Sequence, residues 1–446
     1  MLTRIEIDGF KTFEGFGLDL RPLTAVVGPN ATGKSNLFDA LRFLSLLAQF
    51  DIRTAMQGLR GEPEELFRQV PGQTFDCMTF AVEVLLSRRG IDAFGTDYVT
   101  PAQRLRYEVK LAFAQDEDGT PKGIFVRDEV CRPIAKKDDH ADYLRVEDLG
   151  LTYNYRLSPF IEKSENGQAI LIRQDGPKKR GRPVQLSLKE ASRTALSTIT
   201  TSEFPHLYAL REALTSIRSL EINPRAARGS NDRFEDRMLK PDASNLAAVL
   251  TKLKEETSTE VRPDGVLSDI AADLTSLIPS VRHLRTRNDP SDRQYSFSLE
   301  FSGNLIFSSR VISDGTLRLL ALLTILNDPV RRGTLCFEEP ENGVHEGRIP
   351  MLVNFLRGAA TVSGDPEASS FQILINTHSP KVMAALKDSE IVAADSVTSV
   401  DPEHKIRTSR TRMRTGIEST PDLFDPETRL SRVEVELLLQ KLTDAA

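Results

Sequence analysis

The sequence predicts an α/β fold: a phosphate-loop sheet with flanking helices, interrupted by a large insertion that is β-rich first and helical after. Three observations predict it. A glycine-rich loop stands between an apolar strand and an apolar helix near the N-terminus. A short apolar strand near residue 335 ends in two glutamates. Between them the hydrophobic period lengthens from 2 to about 3.6 residues, so strands give way to helices.

Residues 2–7, with Leu2, Ile5 and Ile7 among polar neighbours, and residues 17–27 read as strands leading into the stretch VVGPNATGKSNLF at 26–38. The run Gly28-Pro29-Asn30-Ala31-Thr32-Gly33-Lys34-Ser35 fits G-x-x-x-x-G-K-[ST] without a mismatch. Glycines there let backbone N–H groups curl around phosphate oxygens, the lysine reaches the β/γ-phosphates, and the Ser35 hydroxyl can ligate Mg²⁺. Leu37, Leu41 and Leu44 recur at helical spacing, so the loop opens a helix whose N-terminus favours anions. FAVEVLLS (80–87) and LRYEVKLAFA (105–114) alternate like sheet edges, and 115–185 mixes charges, glycines and prolines with bursts such as QAILIRQ and PVQLSLK. From Glu203 one helical stripe takes in Leu207, Leu210, Leu214, Ile217 and Leu220. A second covers Leu246, Val249, Leu250 and Leu253, and a third Leu267, Ile270, Leu274 and Ile278. Pro and Gly break these stripes, which excludes a long coiled coil. QYSFSLEF (294–301) returns to strand alternation.

At 446 residues the chain is expected to hold two or three units of about 150 residues. The composition shifts place them at 1–90 with the glycine-rich loop, 91–290 as the insertion (β-rich 91–200, helical 201–290) and 291–446 as the returning lobe. No run of eighteen apolar residues exists, and MLTRIEIDGF opens directly into a strand, so a cytoplasmic protein without membrane contact is expected. Cys77, Cys131 and Cys336 lie far apart with no C-x-x-C pairing, which argues against a disulfide framework or zinc site and for a reducing compartment. With a net charge of -6 the chain is no polycation, and any nucleic-acid contact must come from local patches.

Four elements follow residue 310. The turn Ser313-Asp314-Gly315-Thr316 precedes a strongly apolar helix; Ser313 is a good N-cap, and that helix start offers a second anion seat. TLCFEEPENGVHE (334–346) ends a strand in Glu338 and Glu339. Carboxylates there sit where open α/β sheets bind ligands: one can hold Mg²⁺, the next can orient and deprotonate an attacking water. Pro340 to His345 forms a tight turn, and FQILINTHSP (371–380) delivers His378 at a strand end, where an imidazole can hold the water or donate to a γ-phosphate.

The ordered set GPNATGKS, ISDGT, CFEEPENGVH and NTHSP resembles the ABC-type ATPase superfamily, in particular the stand-alone bacterial AAA-family ATPases related to RecF, SMC and OLD ATPase heads. The opening through residue 50 and LKPDASNLAAVLTKL (239–253) carry the same resemblance; residues 90–200 carry it poorly. The resemblance implies ATP and Mg²⁺ as cofactors, with nucleotide at Gly28, Asn30, Ala31, Thr32, Gly33, Lys34 and Ser35. It implies Mg²⁺ at Ser35 and Glu338 (the Walker B acid), Glu339 as catalytic base, and His378 as switch histidine. Ser313, Asp314 and Gly315 would be the signature that reads the γ-phosphate held by a second copy of the chain, so that ATP closes a homodimer or higher homo-oligomer. Gln69 and Gln73 are both candidates for the glutamine of the Q-loop. SDGT in place of SGGQ argues against a transporter motor, and Glu338 stands where aspartate is commoner.

The same resemblance implies a separate effector protein, of Toprim- or HNH-nuclease type, in bacterial phage defence, or a RecF/SMC-like role in DNA repair or tethering. A nuclease domain in cis is not expected, because about seventy residues follow His378. Lys178, Lys179, Arg180 and Arg182 in GPKKRGRPV form an AT-hook-like segment, a candidate DNA contact that competes with a solvated hairpin tip. Lys405, Arg407, Arg410, Arg412 and Arg414 form a second basic stripe, suited to a phosphate backbone or to pairing with nearby acids.

Overall fold

The computed structural model describes all residues except 72, 116–120, 147–148, 154–157, 176–182, 290–292, 364–369, 401–406, 417–428, 431–432 and 438–446. Lys178, Lys179, Arg180 and Arg182 lie outside the described residues.

Two large sheets organise two hydrophobic cores. The first has seven strands in the order Ile217–Leu220, Gly333–Glu338, Phe371–Thr377, Leu23–Val27, Ile391–Val400, Arg407–Gly416, Arg429–Leu430. The first five run parallel, and Arg407–Gly416 turns back antiparallel. The second is antiparallel, with eight strands in the order Val184–Ser187, Ala169–Ile172, Ile161–Lys163, Pro121–Pro133, Arg104–Gln115, Cys77–Leu85, Leu2–Asp8, Phe16–Asp19. A smaller sheet of Asn231–Asp232, Val281–Asp289, Gln294–Phe301 and Leu305–Ser308 lies beside the helical segment.

The central parallel strands bury both faces, as their unbroken apolar runs require. In Leu23–Val27, Val26 faces one core while Ala25 and Val27 face another; Leu374 against Ile373 and Ile375, and Cys336 against Leu335 and Phe337, divide the same way. The first core lies between the two sheets and holds helix Lys34–Leu47, with Phe10, Phe43 and Phe80 meeting edge-on or stacked at 5.3–6.1 Å. The second core packs helices Leu246–Thr257, Leu267–Leu277, Asp314–Leu326 and Ile349–Ala359 against the other face.

Three local readings change. Residues 17–27 are two strands in different sheets: Phe16–Asp19 alternates buried and exposed, Leu23–Val27 is buried throughout, and Pro22 separates them. The stripe from Leu207 to Leu220 is not one helix. Helix Pro205–Thr215 ends, and Ile217–Leu220 pairs parallel with Gly333–Glu338, which completes the parallel sheet from within the insertion. Apolar residues at i and i+3 serve a short edge strand as well as a helix, so periodicity could not separate them. Cys77–Leu85 and Arg104–Gln115 are interior strands paired on both sides, not edges.

Among the described residues no helix is long and apolar enough to cross a membrane.

Candidate nucleotide site

Three neighbouring parallel strands, Gly333–Glu338, Phe371–Thr377 and Leu23–Val27, end at the same level; Glu338 pairs with Asn376, and Thr377 with Val27. Their C-terminal ends deliver Glu338 and Glu339, His378, and the loop Gly28–Ser35.

The loop has no room for side chains at its glycines. A Cβ on Gly28 would stand 2.3 Å from the Ala394 carbonyl, and one on Gly33, at φ 86°, 2.0 Å from Thr411 Oγ1. Ala31 also takes a positive φ of 63°. Thr12 Oγ1 lies 2.6 Å from Thr411 Oγ1 and accepts from Asn36 Nδ2 at 2.9 Å, which buttresses the loop from behind. Helix Lys34–Leu47 begins without a side-chain cap, so its first N–H groups are left for an anion. Lys34 is buried, with its ammonium donating to the carbonyls of Gly28, at 2.8 Å, and Pro29. Burial pulls its pKa below the ordinary lysine range, against the opposing pull of Glu339, Glu338 and Glu341. A buried cation among bare backbone donors suits a polyphosphate, and the adjoining hydroxyl of Ser35 with the Glu338 carboxylate gives oxygen ligands for Mg²⁺.

Glu339 is half-exposed and takes a φ of 48°, an uncommon conformation for a side-chain-bearing residue. Its N–H donates to Asn376, to the carbonyl at 3.0 Å and to Oδ1 at 3.2 Å. One carboxylate oxygen lies 3.0 Å from His378 Nδ1, and the other accepts from Asn342 Nδ2 at 2.8 Å. The carboxylate at the strand end is therefore held on both oxygens and paired with the histidine.

Ser313 caps helix Asp314–Leu326: its Oγ accepts from Thr316 N at 3.2 Å. Asp314 pairs with Arg228. Gly315 touches the turn after the acids, backbone to backbone. A Cβ on it would lie 3.0 Å from Gly343 Cα, and one on Gly343 (φ 90°) 2.7 Å from Gly315 Cα. The Ser313–Gly315 segment thus abuts the acid-bearing turn of its own chain.

Arg60 carried no signal in the sequence, and Asn376, Thr377 and Glu341 stand in the quoted motifs without an assigned role. Arg60 Nη2 lies 3.2 Å from Asp39 and 3.9 Å from Glu338. Asn376 and Thr377 hold the acid-bearing turn, and Glu341 sits behind it. Gln69 and Gln73 share a two-stranded hairpin, in which Gln69 donates to the Glu64 carbonyl at 3.3 Å. In the second basic stripe Arg412 and Arg414 both bond Asp395, while Lys405 lies outside the described residues.

A phosphate loop, a strand-end acid pair and an adjacent strand-end histidine on a mixed sheet define an ABC-type ATPase head. The chain belongs to the family described as "AAA domain, putative AbiEii toxin, Type IV TA system", which it matches over residues 23–384. Its fold is similar to that of a Smc head solved with the C-winged helix domain of ScpA, at TM-score 0.50 and 12% identity over 93% of this chain and 97% of that one. A Smc head with an extended coiled coil from Pyrococcus furiosus matches at TM-score 0.44 and 12% identity, over 99% of both chains. A 44-residue stretch is 48% identical to the chromosome partition protein Smc of Methanocaldococcus jannaschii; it spans 10% of this chain and 4% of that protein.

Proposed function

We propose that this chain binds and hydrolyses ATP between two copies of itself. The observation that supports it best is the convergence of Lys34, Glu338 and the Glu339–His378 pair on the ends of three adjacent parallel strands. The N–H groups of the loop and of the first helical turn, with Lys34, hold the phosphates. Ser35 and Glu338 would hold Mg²⁺, which would supply neutralisation of the phosphate charge. Glu339 accepts the proton of the attacking water while the bond between the γ-phosphorus and the bridging oxygen to ADP breaks, and His378 holds Glu339 in line. Ser313, Asp314 and Gly315 close over the γ-phosphate of the partner copy, so ATP joins the dimer and hydrolysis loosens it.

Glu339→Gln is the direct test. Phosphate release falls by about 10²–10⁴-fold, and an ATP-bound dimer accumulates in gel filtration; normal turnover overturns the role of Glu339. Mixing Lys34→Ala chains with Ser313→Arg chains restores part of the hydrolysis, because a mixed dimer keeps one intact composite site. Failure of any mixture to recover activity overturns the shared site.

The finer role we propose is a sensor or motor subunit that works with a separate effector, of Toprim- or HNH-nuclease type, in phage defence or DNA handling. The toxin–antitoxin wording of the family description supports it. The alternative is a RecF/SMC-like DNA-tethering head, to which the Smc-head fold lends support. Helices Pro205–Thr215, Leu246–Thr257 and Leu267–Leu277 span only 11 or 12 residues each, so these described residues form no long arm. DNA contact at Lys178, Lys179, Arg180 and Arg182 is tested by duplex binding at low salt, which Arg180→Ala with Arg182→Ala weakens.

A further inference from the structure

A third carboxylate stands behind the tandem acids. The turn after Glu339 closes through Asn342 N to the Glu339 carbonyl at 3.1 Å and Val344 N to the Glu341 carbonyl at 2.9 Å. It folds Glu341 back onto the end of the neighbouring strand, where Thr377 Oγ1 donates to Glu341 Oε1. Thr377 is fully buried, and its hydroxyl also accepts from Ser379 N at 2.9 Å. The second oxygen of Glu341 is sealed from solvent and has no hydrogen-bond partner among the described residues. Burial raises the Glu341 carboxyl above its usual range, and Glu339 and His378 both lie in its field. An apolar side chain would pack such a turn without leaving a buried oxygen unpaired, so packing alone does not account for a carboxylate here.

The connectivity says what it does. Glu339 lies two residues before Glu341, and His378 follows Thr377 directly. A bond between Glu341 and Thr377 therefore pins both partners of the 3.0 Å Glu339–His378 contact at once. The Asn376 clamp holds only the Glu339 backbone, about which the turn would otherwise pivot. Glu339 is further held in a left-handed conformation that persists only where surrounding contacts enforce it. We propose that Glu341 is a positioning residue for ATP hydrolysis, acting through Thr377 to fix the Glu339 carboxylate against the His378 imidazole. This rests on the ATPase reading of the same site.

The test compares phosphate release, ATP affinity and structure for Glu341→Ala, Glu341→Gln, Thr377→Val and Thr377→Ser. Displacement of a catalytic group by an ångström costs about a hundredfold, so Glu341→Ala and Thr377→Val are expected to lower kcat by about tenfold to a hundredfold. KM and ATP affinity by calorimetry should stay within about twofold, since the phosphate loop is untouched. Glu341→Gln and Thr377→Ser keep acceptor and donor and recover most of the rate. The double variant Glu341→Ala with Thr377→Val is no slower than either single one, because both remove one bond. Crystal structures of Glu341→Ala and of the unsubstituted protein should show the Glu339–His378 contact opened only in the variant. An unchanged kcat, a loss confined to KM, multiplying losses in the double variant, or an intact contact in Glu341→Ala overturns the proposal. If the unsubstituted protein releases no phosphate, the ATPase reading fails, while the contact distance still decides whether Glu341 sets it.

Discussion

Two carboxylates show how differently this molecule uses polarity in its two sheets. Glu129, in the antiparallel sheet, is fully buried and accepts from Ala195 N at 2.6 Å, Leu196 N at 2.9 Å and the Tyr107 hydroxyl at 3.0 Å. Burial pushes it up to about 7, although all three donors favour the charged form. Its task is structural: it holds the turn whose Thr194 hydroxyl donates to the Leu47 carbonyl, at the C-terminal end of the phosphate-loop helix. Glu339, at the open end of the parallel sheet, is half-exposed, strained in φ, and paired with a histidine. Back at the antiparallel sheet, Arg104 forms with Asp139 a doubly bonded ion pair whose side chains have no exposure at all. Buried carboxylates in and beside the antiparallel sheet therefore serve architecture, whereas the parallel sheet gathers Glu338, Glu339 and His378 at its strand ends.

The sharpest way to break this contrast is Lys34→Ala. ATP affinity by calorimetry is expected to drop by about a hundredfold or more, the loss of charge-assisted bonds worth about 3 kcal/mol, while thermal stability changes little. Unchanged affinity removes the phosphate-loop assignment. Arg104→Ala should do the reverse. It takes the buried guanidinium away from Asp139 and Glu83, and chemical denaturation should show a loss of about 3–5 kcal/mol with ATP affinity per folded molecule intact.

Glu129 sharpens the comparison through pH. Its folded value near 7 exceeds the ordinary carboxyl value of 4.5, so the native state binds the proton more tightly than the unfolded chain. The stability it contributes is complete below about pH 4.5 and declines as pH rises toward 7, by roughly 3 kcal/mol at most. Glu129→Gln should flatten that part of the stability curve; an unchanged slope between the two proteins contradicts the assignment. The smallest expected effect is that of Gly343→Ala. Its Cβ would stand 2.7 Å from Gly315 Cα at a φ of 90°, so a cost of about 1–3 kcal/mol is expected, with hydrolysis falling more than ATP binding. Equal losses in both would mean that the contact serves folding alone.

The legible parts of the site share one property: the sequence writes them contiguously. The eight residues from Gly28 to Ser35 form the cradle by themselves, and the apolar runs before Glu338 and His378 announce buried strands whose next residues must emerge at the sheet's end. Glu341 was not legible, because in sequence it is one more polar residue in a turn; only the fold brings Thr377 to it from the next strand. Arg60 reached Glu338 in the same way, and Ile217–Leu220 took its place in the parallel sheet only by pairing with Gly333–Glu338.

The chain by itself thus determined that Gly28–Ser35, Glu338, Glu339 and His378 follow buried strands, since local spacing and hydrophobic period act within a few residues. Tertiary structure alone decided which strand lies beside which, that one stretch from 16 to 27 feeds two sheets, and that Thr377 of the neighbouring strand bonds a third carboxylate, Glu341. The physical reason is range: turns and periodicity act between near neighbours, whereas strand pairing and buried hydrogen bonds join residues tens to hundreds of positions apart, and no local pattern records their partner.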